Sequence, residues 1–159
     1  MTEKIQELLD TLFRESDKAG IPIEEIQKGI ASRLAEKKRK EAFRQRAEKF
    51  AEKLTGYGSR ECDKRRQIQQ TVDVLCIYHE LSNSAPSKLA EECSRKWKCT
   101  IPAATGRIYN IMCRLKDWNS ACKNPLALSN LYMNGRGSTD YVFGQTVKYI
   151  LSEEGSDKN

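Results

Sequence analysis

The segment "NLYMNGRGSTDYVF", residues 130–143, decides which fold the sequence predicts, because it places Arg136 between two glycines. The flanking stretches "LALSNLYM" (126–133) and "TDYVFGQTVKYIL" (139–151) are rich in β-branched and aromatic residues, which strands prefer. Glycine and asparagine supply the positive φ of a tight turn, whereas a turn does not require a cation. The segment therefore predicts a β-hairpin with Arg136 at its tip, either as a solvated turn residue or as a contact to a negatively charged partner.

Three amphipathic helices are predicted immediately before this hairpin. Apolar residues recur at helical spacing in "RRQIQQTVDVLCIYHEL" (65–81), "SKLAEECSRKWKC" (87–99) and "TIPAATGRIYNIMCRLKDW" (100–118). Pro86 and Pro102 suit the first turns of the second and third of these helices. Three helices joined so closely predict a compact, right-angled bundle.

Three helices followed by a two-stranded hairpin are the element order of a winged helix-turn-helix domain. Residues 87–115 resemble that superfamily through "SKLAEE" and "TIPAATGRIYNIMCRL", and residues 70–150 resemble the short enterobacterial regulators of the CaiF/GrlA type. The resemblance implies a mainly α fold with a small β-hairpin. It also implies that the third helix enters the major groove of DNA and that the hairpin wing touches the flanking backbone or minor groove.

The third helix carries the side chains that such a function needs. Its predicted outward residues are Thr105, Arg107, Asn110 and Arg114, with Lys116 at the end. Asparagine and arginine recognise adenine and guanine edges with two hydrogen bonds, and threonine meets either a base edge or a phosphate. No acidic residue lies between Lys98 and Lys116, although 31% of the chain is charged. This segment therefore predicts contact with DNA, with Arg136 anchoring the wing.

Two features of this region depart from the helix-turn-helix pattern. The junction "RKWKC" (95–99) is longer than the usual turn and contains no glycine. Gly106 lies inside the third helix, where glycine is unfavourable. It either permits close approach to a phosphate backbone or is tolerated against a neighbouring helix.

The N-terminal third of the chain predicts a self-associating helical arm. Ile5, Leu8, Leu9, Leu12 and Phe13 form one narrow apolar stripe, and Ile23, Ile26, Ile30 and Leu34 form another after Gly20 and Pro22. A short acidic helix, the turn "AGIP" (19–22) and a longer basic helix resemble the oligomerisation arms of histone-like nucleoid-structuring proteins. Two such narrow stripes need a second copy, a partner or the C-terminal domain to cover them.

The net charge of +6 on the 159 residues is concentrated in the middle of the sequence. Residues 33–66 contain thirteen basic and six acidic residues, a net of +7, whereas residues 1–32 have a net of −3. Lys37, Lys38, Arg39 and Lys40 stand in a row. The block is interpreted either as a solvated helix face with pairs such as Glu36–Lys40 or as a surface that binds phosphates.

These patterns predict four regions. They are a helical oligomerisation arm with a basic second half (1–54), a linker (55–66), a winged helix-turn-helix domain (67–152) and a disordered tail (153–159). The six cysteines are predicted to be reduced thiols, since the charged N-terminus is not a signal peptide. Cys-x2-Cys pairs, phosphate-binding loops and nucleophile elbows are lacking, so we expect no metal, no cofactor and no enzymatic activity.

The sequence thus predicts a DNA-binding transcriptional regulator of the cytoplasm and nucleoid, acting as a homodimer or higher oligomer on double-stranded DNA. No apolar run approaches the length of a membrane span, so no membrane partner is expected. Two alternatives remain open. One is a protein–protein interaction module that uses the winged-helix domain as a scaffold, and the other is a replication or partition protein of a mobile element.

Overall fold

The structure is a computed structural model that describes residues 2–55, 64–81, 86–128 and 136–156, with the backbone alone at 86–87, 136–138 and 153–156. These ranges form six helices. They are α1 (Glu3–Ala19), α2 (Ile23–Leu54), α3 (Lys64–Leu81), α4 (Pro86–Trp97), α5 (Ile101–Ala121) and α6 (Arg136–Ser156). The chain divides into two compact units, residues 1–41 and 42–159. The division falls inside α2, and residues 56–63 of the predicted linker lie outside the described ranges.

The first unit contains α1 and the beginning of α2. Gly20 ends α1 with a φ of 70°, and its N–H donates to the carbonyl oxygen of Asp17. This left-handed conformation is the usual helix end for glycine, because glycine lacks a Cβ. Pro22 then precedes α2, and its carbonyl accepts from the N–H groups of Glu25 and Ile26. The predicted break at residues 19–22 is therefore confirmed.

The second unit has a helical core to which the end of α2 and α3–α6 contribute. Phe50 of α2 lies edge-on to Trp118 of α5, with 5.1 Å between ring centroids, and 5.7 Å from the ring of Tyr149 in α6. Trp118 and Tyr149 are themselves 5.8 Å apart. These three rings join α2, α5 and α6. The apolar side chains of α2 that are buried in this unit recur at helical spacing, and they include Phe43, Ala47, Phe50 and Leu54.

A buried carboxylate joins three helices on another side of this core. Asp73 of α3 is 3% exposed and accepts hydrogen bonds from Trp97 Nε1 of α4 and from Gln69 Nε2, each at 3.0 Å. The guanidinium of Arg44 in α2 lies 3.7 Å from Asp73, and the ammonium of Lys96 lies 3.8 Å away. Because a buried charge is costly unless it is paired, these four partners explain how an aspartate stands between two core valines.

The connection between α4 and α5 is shorter than the sequence predicts. Because α4 continues to Trp97, only Lys98, Cys99 and Thr100 separate the two helices. Lys98 has a φ of 51°, the conformation that glycine usually supplies in such a turn. Thr100 then caps α5 by accepting from the N–H of Ala103 at 3.3 Å, and Pro102 occupies the first turn.

The predicted mainly α fold with a β-hairpin wing is wrong in its β part. No strand occurs among the described residues, and residues 139–151, the predicted second strand, lie within α6. The buried side chains of this segment are Val142, Phe143, Thr146, Val147 and Ile150. Their spacing of one, three, one and three residues is helical, so the period outweighs the β-branched composition. The tip residues 134 and 135 lie outside the described range.

Long, apolar helices of the kind that cross a membrane are lacking in the described parts of the chain.

Candidate functional site

The first three turns of α5 present an exposed surface that contains two of the contact residues predicted from the sequence, Thr105 and Asn110. Its residues, which we call the α5 surface, are all exposed: Pro102, Ala103, Thr105, Gly106, Tyr109 and Asn110. The opposite side of α5 is buried through Ala104, Ile108, Ile111, Met112 and Leu115, as the sequence predicts. The core therefore fixes which side of α5 faces solvent.

The five predicted contact residues of α5 do not lie on one face. At 3.6 residues per turn, Thr105 and Asn110 stand roughly 140° apart around the helix axis. Lys116 lies near the Thr105 side, and Arg107 and Arg114 lie near the Asn110 side. Thr105 and Asn110 are exposed, whereas Arg107, Arg114 and Lys116 are half-buried. Only Asn110 and Thr105 are presented to solvent as the sequence predicts.

Arg114 packs within the second unit. Its Nη1 donates to Gln67 Oε1 of α3 at 2.9 Å, and burial lowers the pKa of the guanidinium from its ordinary value. An arginine stays charged despite such a shift. Arg114 therefore ties α5 to α3, which competes with the predicted contact to a base.

Arg107 is directed toward α4. Its guanidinium carbon lies 5.8 Å from the centre of the Trp97 ring, within the range of a cation–π interaction. Trp97 in turn donates to Asp73. Arg107 is therefore part of the packing between α4 and α5, at the edge of the α5 surface rather than at its middle.

Tyr109 is the exposed residue of α5 that the sequence interpretation missed. Its side chain is 59% exposed, more than that of Ile101 at the start of the helix. A hydrogen bond to Cys113 raises the pKa of the Tyr109 phenol from its ordinary value. The helical phase set by Ala104, Ile108 and Ile111 places residue 109 outward, and this signal was available in the sequence.

The four consecutive cations of the basic block, residues 37–40, lie on α2 in the first unit. Lys37, Lys38 and Arg39 are exposed. Lys40 pairs with Glu36, with 3.1 Å between Nζ and Oε1, which confirms the predicted i,i+4 pair. This hydrogen bond and the charge of Lys40 lower the pKa of Glu36. The four consecutive cations surround α2 instead of forming one stripe.

Arg136, the predicted wing tip, is the first residue of α6. The wing that was to carry it is absent where the structure describes the chain. The predicted contact of Arg136 with DNA depended on that hairpin. Without the hairpin, it stays a prediction, now for a residue at the start of a helix.

The cysteines of the described segments are free thiols. Burial raises the pKa of Cys76 to about 11 and that of Cys93 to about 12, so both stay protonated at neutral pH and are poor nucleophiles. Within the described ranges, no three His, Cys, Asp or Glu residues are placed to hold a metal ion. Cys62 lies outside those ranges.

Comparison with models of protein families, with curated proteins and with solved structures found no match to this chain. The resemblances to winged-helix regulators and to nucleoid-structuring arms stay predictions from the sequence. The first of them no longer includes the β-hairpin wing, because its predicted second strand lies in α6.

Proposed function

We propose that this chain is a DNA-binding regulator in which α4 and α5 form a helix-turn-helix and α5 enters the major groove of double-stranded DNA. The observation that carries the proposal is the three-residue connection between the two helices, with Lys98 in the left-handed conformation. A turn of three or four residues is characteristic of that motif. The second helix of the motif reads base edges with its N-terminal residues.

The composition of α5 supports the same proposal. Asn110 and Thr105 are exposed in its N-terminal half, and asparagine is suited to a bidentate contact with adenine. The segment 98–116 carries four basic residues and no acidic ones, so its charge favours phosphates. The proposal uses no wing. Arg107 and Arg114 stabilise α5 against its neighbours, and Asn110 is the main candidate for reading a base.

Replacing Asn110 by alanine is expected to weaken binding to the preferred duplex by about 1–3 kcal/mol, roughly 5- to 150-fold, because a bidentate base contact is lost. Titrations of labelled duplex fragments by fluorescence anisotropy, at several salt concentrations, measure this effect. The affinity of the wild type is expected to fall steeply as salt rises.

Gln45→Ala is the matched control for this measurement, because Gln45 is an exposed amide on α2 of the same unit. It should leave the affinity within about twofold of wild type, a change of only roughly 0.4 kcal/mol. Equal affinities of wild type and Asn110→Ala for every fragment would contradict base reading by α5. Weak or salt-independent binding would favour the protein–protein interaction module.

We also propose that the first unit associates with a second copy of the chain. This unit exposes many large apolar side chains on its helices and on the turn between them, more than a solvated surface requires. They are Ile5, Leu8, Leu12, Phe13, Ile21, Ile23 and Leu34, between 37% and 64% exposed. A second copy is the fitting partner because two segments of the unit have opposite charge. Residues 1–32 carry a net of −3, and residues 33–41, with five basic and two acidic residues, carry +3. Two-fold pairing can bring the acidic segment of one copy against the basic segment of the other.

Leu8→Gln is expected to weaken the oligomer at least a hundredfold. Each copy loses the burial of one leucine, about 1.5–3 kcal/mol, and a two-fold assembly loses it twice. Sedimentation equilibrium measures the change, with Arg14→Gln on the polar side of α1 as control. A wild type that stays monomeric at high micromolar concentration would rule out this association.

A further inference from the structure

Gly106 lies in the second turn of α5 without a packing reason in the described part of the chain. A Cβ built at this position has no atom within 4 Å. Glycine disfavours a helix more than any residue except proline. The alternative that Gly106 is tolerated because another helix approaches it is therefore not supported by the described residues.

The backbone conformation does not require glycine at this position either. Gly20 is the glycine with a positive φ in the described ranges, whereas Gly106 has ordinary helical geometry. Neither backbone strain nor internal packing explains why residue 106 is a glycine. The other possible reason is a partner that lies against the outer surface of α5.

The neighbours of Gly106 form a shallow site on that surface. Pro102 and Ala103, one turn earlier, have short side chains, and Tyr109 and Asn110, one turn later, have long ones. Residues three and four apart are neighbours on a helix. Gly106 therefore lies at the centre of the exposed side of α5. The short side chains of Pro102 and Ala103 precede it, and the long side chains of Tyr109 and Asn110 follow it.

We propose that Gly106 is the point at which the backbone of α5 comes closest to bound DNA, so that Tyr109 and Asn110 reach the groove on one side of it. A side chain at residue 106 would hold the helix away from the duplex and shorten the reach of both. Tyr109 supplies an aromatic edge for a thymine methyl or a sugar and a hydroxyl donor for a phosphate oxygen. This inference rests on the DNA-binding function proposed above.

Gly106→Ala separates stability from binding, because alanine is the better helix residue and has open space here. We expect the melting temperature to rise by a few degrees while the affinity for the preferred duplex falls at least tenfold. Gly106→Leu should lower the affinity further. Gly29→Ala in α2 is the matched control, because Gly29 is also exposed, helical and free of atoms within 4 Å. It should raise the melting temperature without changing the affinity.

The outcomes distinguish this inference from the function on which it rests. If Asn110→Ala weakens binding but Gly106→Ala and Gly106→Leu bind as tightly as wild type, Gly106 is not a contact point and the proposed function stands. A lower melting temperature for Gly106→Ala would also overturn the inference, since residue 106 would then have a packing role. If the wild type binds no duplex, the proposed function fails, and the inference fails with it.

Discussion

Replacing Asp73 by alanine is expected to lower the free energy of unfolding by about 3–5 kcal/mol. The carboxylate is buried and is the shared partner of Trp97, Gln69 and two cations. Without it, the Trp97 indole N–H loses its acceptor, and an unpaired buried donor carries its full desolvation cost. Arg44 and Lys96 are part-exposed, so solvent reduces their share of the loss. Urea unfolding followed by circular dichroism measures the change.

Asp73→Asn separates the contribution of the hydrogen bonds to stability from the contribution of the charge. The amide oxygen can still accept from Trp97, so we expect a smaller loss of about 1–2 kcal/mol. Asp117→Ala, at an exposed aspartate of α5, is the control and should stay within roughly 0.5 kcal/mol of wild type. A loss below about 1 kcal/mol for Asp73→Ala would show that this carboxylate does not join α2, α3 and α4.

Replacing Phe50 by alanine is expected to cost about 3–5 kcal/mol of stability. The ring is 1% exposed and lies against Trp118 and Tyr149, so its removal leaves a cavity at the meeting of three helices. Thermal unfolding measures the loss, and the near-ultraviolet circular dichroism signal should weaken at the same time. That signal reports the packing of the aromatic side chains, of which Trp118 and Tyr149 lie against Phe50.

Leu151→Ala is the control for Phe50, because Leu151 is 42% exposed on α6 and should cost less than about 1 kcal/mol. The Phe50 variant also tests the division of the chain within α2. If it unfolded at the same temperature as wild type, the residues of α2 after residue 41 would not share a core with α5 and α6.

The sequence predicts the helices of the second unit well where a buried stripe marks them. Leu89, Ala90 and Cys93 in α4, and Ile108, Ile111 and Leu115 in α5, are buried as their spacing indicates. In residues 139–151, two signals conflicted. The β-branched composition favours a strand, whereas the spacing of Val142, Thr146 and Ile150 favours a helix. The spacing is the better guide, because the positions of the apolar side chains decide which conformation can bury all of them on one face.

The candidate site was less predictable, since it depends on contacts between helices. The helical phase alone places Asn110 outward, and the structure agrees. The partners of Arg107 and Arg114 are Trp97 and Gln67, residues of other helices that no spacing along α5 reveals. Asp73 carried a weak signal, because a charge between two valines on a buried face needs a partner, but the sequence does not say which one.

Selection of duplexes from a random-sequence pool tests directly whether α5 reads double-stranded DNA. We expect wild type to enrich a defined motif, and Asn110→Ala to lose preference at one base pair of it while keeping salt-sensitive binding. If the first unit pairs two copies, the motif should contain two related half-sites. Absence of any enriched motif with wild type, or an identical motif with Asn110→Ala, would show that α5 does not read base pairs through Asn110.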